Sequence, residues 1–107
     1  MREVSTHEFA SARADGAFTI DVREPGEYVS GHVPGVRLMP MGEVPSRQAE
    51  LPRNRPVYVV CQSGNRSRTI ADLLVRQGFD ARSVAGGTSG WESLGYPVVR
   101  GPVADVA

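Results

Sequence analysis

Apolar residues in this chain fall in short blocks, each ended by a charge, a glycine or a proline. The block Val57-Tyr58-Val59-Val60 is apolar without alternation. That pattern predicts a strand covered on both faces, as in the middle of a parallel sheet. Shorter blocks at Phe18 to Val22, Val36 to Met39 and Ala81 to Val84 predict further strands. Between them the period changes. Ile70, Leu73, Leu74 and the aliphatic part of Gln77 fall near one helical face, predicting a helix over Ser67 to Gln77 closed by Gly78. A first helix is expected from a Ser5 or Thr6 cap, with Glu8 near the first turn, to about Ala14. Pro25 suits the start of a short helix over Glu24 to Ser30, closed by Gly31 and followed by a turn at His32-Val33-Pro34-Gly35. A polar stretch from Met41 to Glu50 is expected to be helical only after Pro45. After the Gly86-Gly87 turn, with Thr88 or Ser89 as cap, Trp91 to Leu94 reads as one or two helical turns ending at Gly95. The tail from Tyr96 to Ala107 reads as extended. Strand and helix alternate, which predicts a layered α/β domain with a largely parallel sheet.

The length, 107 residues, fits one domain over 1–107, with its core over about 3–99 and a short tail over 100–107. Twelve basic residues balance twelve acidic ones, so neither a nucleic-acid footprint nor a polybasic membrane patch is expected. No apolar run approaches a membrane span, and the acid-bearing N-terminus does not read as a secretory signal. The single cysteine excludes an internal disulfide and a zinc site of paired cysteines. A free thiol persists in reducing surroundings, so a cytoplasmic location is expected.

That cysteine, Cys61, follows directly on the predicted central strand, and Gln62-Ser63-Gly64-Asn65-Arg66 leads from it to the helix. Ligands bind at the carboxyl ends of strands in such domains. A short loop there can turn successive N–H groups inward to make an anion-binding nest, and Gly64 permits the backbone angles this needs. The unpaired N–H groups of the helix start add to it. A thiol in that setting ionises below its ordinary pKa of about 8.5. Arg66 and Arg68 supply guanidinium donors suited to an oxyanion, and which of them points inward depends on the curl of the loop; Arg66, just before the helix, is expected either to fold back over the nest or to clamp the loop to Asp21 or Glu27. The site reads as nucleophilic sulfur chemistry on an anion. Its competitor is a buried cysteine acting as a small hydrophobe beside solvated arginines, which leaves Gly64 and the polar loop unexplained. A nucleotide-binding phosphate loop is a poor match, because the loop has no lysine. His7 and His32 read as structural or solvent-facing.

Taken together, the motifs resemble those of the rhodanese, or sulfurtransferase, family. Cys-Gln-Ser-Gly-Asn-Arg-Ser, residues 61 to 67, looks like that family's active-site loop. Ile20 to Tyr28, the Gly31-His32-Val33-Pro34-Gly35-Val36 turn, and Val84-Ala85-Gly86-Gly87 with Trp91 resemble its flanking signatures, in order. The resemblance implies a three-layer rhodanese-like α/β domain whose central, mostly parallel, five-stranded sheet is flanked by helices. It implies a thiosulfate sulfurtransferase in which Cys61 becomes a persulfide and passes sulfur to cyanide or a thiol, with no metal or organic cofactor. It places the persulfide-binding loop at Gln62, Ser63, Gly64, Asn65, Arg66 and Ser67, and makes Asp21, Arg23, Arg68 and Trp91 supporting residues. Ser67 is expected to cap the helix. Asp21 is expected to be a structural partner for backbone N–H groups or an arginine. Trp91 is expected to pack on the sheet with its N–H toward the pocket. Many relatives carry arginine where this chain has Gln62, which removes a positive charge from the rim.

Two other readings fit the residues less well. A cysteine phosphatase or arsenate reductase of related fold has one more residue between cysteine and arginine than the four found here. A sulfur-relay or protein-interaction module would take its sulfur from a persulfide-bearing protein and turn over small donors poorly.

Overall fold

The computed structural model describes residues 1–104; the last part of the expected tail, 105–107, lies outside the described residues. One sheet of five strands organises the molecule: β1 (Arg2–Val4), β2 (Phe18–Asp21), β3 (Arg37–Leu38), β4 (Val57–Val60) and β5 (Ala81–Val84). Their order across the sheet is β1-β5-β4-β2-β3, and every pairing between them is parallel. The unalternating block predicted to be central is β4, buried at all four positions. The strand at Arg2–Val4 is absent from the reading by pattern. It is a three-residue edge strand with a single buried side chain, Val4, so it offers no apolar run to detect.

The alternation of side chains along each strand divides the core in two. Val57 and Val59 of β4 pack with Ile20, Ala81 and the apolar stripe of α3 (Asn65–Arg76), namely Ile70, Ala71 and Leu74. Tyr58 and Val60 point the other way. There they join Phe9 of α1 (Thr6–Ala14), Tyr28 of α2 (Pro25–Ser30) and Trp91 of α4 (Gly87–Ser93). The result is the expected three layers.

The helix starts differ from expectation in ways that matter for the site. Ser5 caps α1 in a reciprocal capping box with Glu8. The α3 helix begins at Asn65 rather than Ser67, and its cap is Gly64, in the left-handed region at φ 110°. Ser67 is therefore inside the first turn and does not cap. Likewise α4 starts at Gly87 behind Gly86, so neither Thr88 nor Ser89 is its cap. The polar stretch folds as two 3-10 segments, Met41–Glu43 and Pro45–Glu50, so its part before Pro45 is helical too. Pro45 fits because it opens the second segment, where its missing N–H costs nothing.

Candidate active site

Cys61 sits where β4 ends, 1% exposed, on the α3 side of the sheet. The chain then turns sharply through Gln62, Ser63 and Gly64 into α3. The turn is anchored from outside by α4: Thr88 N donates to Cys61 O at 2.8 Å, Ser89 N to Gln62 O at 3.0 Å, and the Thr88 hydroxyl to Cys61 O at 3.1 Å. Two backbones meet so closely here that a Cβ on Gly87 would lie 2.5 Å from Cys61 O. That contact requires glycine at position 87, beyond any role in a turn.

Within the turn, Gly64 N donates to the Cys61 sulfur at 3.1 Å, and the Ser67 hydroxyl lies 3.5 Å from it. Burial pushes the thiol pKa up, but hydrogen bonds from the Ser67 hydroxyl and from the N–H groups of Ser67, Gly64 and Ser63 outweigh it. The net shift is downward. Backbone N–H groups and one hydroxyl thus form a nest around the sulfur.

The arginines are arranged around the nest, not in it. Arg66 reaches out to Glu27 of α2 in a two-pronged ion pair, Nη1 to Oε1 at 2.8 Å and Nη2 to Oε2 at 2.9 Å. That pairing holds the Glu27 carboxyl down at about 2, against an upward push from burial. Arg68 is exposed, donates to Asn65 Oδ1 at 2.8 Å and lies 3.8 Å from Glu3, so it is not gathered with Cys61. Ser63 and Asn65 are also exposed.

Asp21 and Arg23 are buried together below the rim, at 0% and 2% exposure. The Asp21 carboxylate accepts from Arg23 N, Nε and Nη2 at 2.9–3.1 Å. Arg23 also donates to Gly31 O at 2.9 Å and to Gln62 Oε1 at 2.8 Å. Gln62 in turn donates from Nε2 to Ser89 Oγ at 2.6 Å. Gln62 is thus a strut between a buried arginine and α4, not a free rim residue. Trp91 departs from expectation: it is buried among Phe9 and Tyr96, and its N–H donates to Pro97 O at 2.7 Å, toward the tail instead of the pocket. His32 is buried, stacked on Tyr28 and bonded to Tyr28 O and Val103 O, while His7 is exposed beside Tyr96.

A recess of about 420 Å³ opens beside the loop, lined by Arg23, Gly26, Glu27, Ser30, Gly31, Gln62 and Glu92. Another, of about 350 Å³, lies at the opposite ends of the strands around Phe18 and is remote from the cysteine chemistry. Among the described residues no cluster of three or more His, Cys, Asp or Glu gathers to hold a metal. Among the same residues no helix is long and apolar enough to cross a membrane.

Reading by pattern missed Ser83, and it missed the bonds of Thr88 and Ser89 to the loop. Glu27, which reads in part as decoration of a solvated helix, is one of the two acids expected for an Arg66 clamp, and the fold selects it over Asp21. Ser83 did carry a signal, a hydroxyl within an otherwise packed strand.

A parallel α/β sheet whose central strand delivers a hydrogen-bonded cysteine into a tight turn before a helix defines a cysteine-loop domain. The model of the Rhodanese-like domain matches residues 5–94, and the chain belongs to that family. It is 36% identical over 100 residues to the thiosulfate sulfurtransferase GlpE of Pseudomonas entomophila, covering 91% of this chain and 89% of that one. It is 47% identical over 60 residues to the putative sulfur carrier protein YrkF of Bacillus subtilis; the match spans 56% of this chain and 32% of that protein. The crystal structure of a rhodanese-related protein from Thermoplasma volcanium superposes with a TM-score of 0.86 at 29% identity, over 92% of this chain and 98% of that one.

Proposed function

We propose that the protein is a cytoplasmic single-domain sulfurtransferase that moves a sulfane sulfur from thiosulfate, or a similar anionic donor, to a thiol or cyanide through a persulfide on Cys61. The observation that carries this reading is the Cys61 sulfur held by N–H groups and the Ser67 hydroxyl, with its pKa drawn down. The thiolate attacks the outer sulfur of thiosulfate. The S–S electron pair leaves with sulfite, and the terminal sulfur stays on Cys61 as an anionic persulfide. An acceptor anion then attacks that terminal sulfur. Thiocyanate or an acceptor persulfide departs, and the Cys61 thiolate is restored. Charge is conserved in both halves, and the N–H nest serves the anion throughout.

Arg66 is taken up by Glu27, so it supports the loop's place against α2 rather than clamping a tetrahedral oxyanion over the thiolate. That favours sulfur transfer over phosphate ester hydrolysis. A second reading, a relay taking sulfur from a persulfide-bearing protein, is favoured by the likeness to a putative sulfur carrier over 60 residues. The test is side-by-side assay of thiocyanate formation from thiosulfate and cyanide, and of phosphate release from an aryl phosphate. The proposal expects turnover of the first alone, abolished by Cys61→Ser. Phosphate release without thiocyanate contradicts it. Persulfide formation with negligible thiocyanate favours the relay.

A further inference from the structure

Ser83 lies on the interior strand β5, fully buried, facing α3 beside Val59, its neighbour in register. Apart from the hydroxyls, that face of the sheet belongs to the apolar core of Val57, Val59, Ala81, Ile70 and Ala71. Among the described residues the Ser83 hydroxyl has one hydrogen-bond partner, the Ser67 hydroxyl, at 2.8 Å. Ser67 is also fully buried, and its oxygen lies 3.1 Å from Gly64 O and 3.5 Å from the Cys61 sulfur.

Each hydroxyl has one proton, and counting them fixes the direction of the chain. If Ser67 donated to Ser83, the Ser83 proton would be buried with no acceptor, and nothing on Ser67 would remain for the sulfur. A stranded buried donor is costly. If Ser83 donates to Ser67, both protons are placed. In the thiol state the Cys61 S–H and the Ser83 O–H both donate to the Ser67 oxygen, and Ser67 donates to Gly64 O. When the thiol proton leaves to solvent, the Ser67 hydrogen turns from Gly64 O to the sulfur anion. Gly64 O keeps a second donor, Arg68 N at 3.4 Å. In both states Ser83 donates and Ser67 receives.

We infer that Ser83 is a positioning residue: by donating to Ser67 it commits the Ser67 hydroxyl to the anionic sulfur of Cys61. The inference rests on the reading of Cys61 as the nucleophile. It extends the site one strand beyond the loop, to a residue that never touches the substrate.

The test follows the ultraviolet absorbance of the thiolate against pH, which is clean because the chain has one cysteine. Ser83→Ala should raise the Cys61 midpoint by about 0.5 to 1 pH unit, leaving roughly three- to tenfold less thiolate below it, the scale of one net hydrogen bond. Ser67→Ala should raise it at least as far. Ser83→Ala added to Ser67→Ala should add nothing, because its route to the sulfur is gone. Ser83→Thr, which keeps the donor, should hold the wild-type midpoint. Ser83→Gly is the second hydroxyl-free variant should Ser83→Ala not fold. An unchanged midpoint in the hydroxyl-free variants, or a shift that persists in the Ser67→Ala background, overturns the inference. The readout needs no sulfur donor. A shifted midpoint in a protein that transfers no sulfur therefore overturns the proposed function while supporting the positioning role of Ser83.

Discussion

Gln62 shows how much a single side chain at this rim is asked to do. It accepts from Arg23, which is buried and already holds Asp21, and it donates to Ser89. An arginine at this position brings only donors. Gln62→Arg should therefore leave an Arg23 N–H without its acceptor and set two cations side by side. Any gain in capturing a dianion at low salt is offset by that loss. We expect Gln62→Arg to lower stability by about 1 to 3 kcal/mol, the cost of a stranded buried donor. Chemical denaturation of the two proteins measures it. Equal stability would mean that the strut is idle and that Arg23 finds water instead.

Among the elements, the contact that shapes the site is α4 against the loop after β4. It depends on Gly87, whose φ of 58° and absent Cβ let Thr88 N and Ser89 N reach Cys61 O and Gln62 O. Gly87→Ala would put a methyl group 2.5 Å from a carbonyl oxygen, with backbone on both sides of the clash. We expect destabilisation of about 2 to 4 kcal/mol from strain and overpacking, with loss of thiolate stabilisation because the loop must move. A thermal melt together with the thiolate titration checks both. The same contact separates what the sequence makes legible from what it hides. The strand β4, the cysteine at its end and the following helix can be read directly, because an unalternating apolar run and a 3.6-residue stripe are local signals. The cap of α3 lies three residues before the expected one, since Ser67 is a good cap by type and only the left-handed Gly64 shows that the helix starts earlier. The ion pair of Glu27 with Arg66, and the hydroxyl pair of Ser67 with Ser83, join residues far apart in sequence. No periodicity encodes such pairs: residue type leaves Asp21 and Glu27 both open to Arg66, and only the strand order, which places α2, α3 and β5 around one point, selects Glu27 and brings the two hydroxyls together.

At the scale of the whole molecule, two apolar cores clamp the sheet, and polar groups gather at the end where β2 and β4 stop and α2, α3 and α4 meet. The Glu27–Arg66 pair ties two of those helices across the site. The Glu27 carboxyl is held at about 2, below its ordinary 4.5. A depressed folded-state pKa means the stabilisation is fully present above about 4.5 and is lost as pH falls toward 2. Both side chains are about one-third exposed, so the gain is small and screened by salt. Wild type should exceed Glu27→Gln in stability near neutrality, and the difference should vanish on acidification through that window. Other acid-sensitive pairs, such as Glu50 with Arg47, are common to both proteins and cancel. A difference that is flat with pH would contradict the clamp. The central claim, that Cys61 itself carries the transferred sulfur, is tested most directly by intact-mass measurement after incubation with thiosulfate. The account predicts one added sulfur atom on wild type, removed by a reducing thiol or cyanide and absent from Cys61→Ser. No adduct on wild type, or an equal adduct on Cys61→Ser, would contradict it.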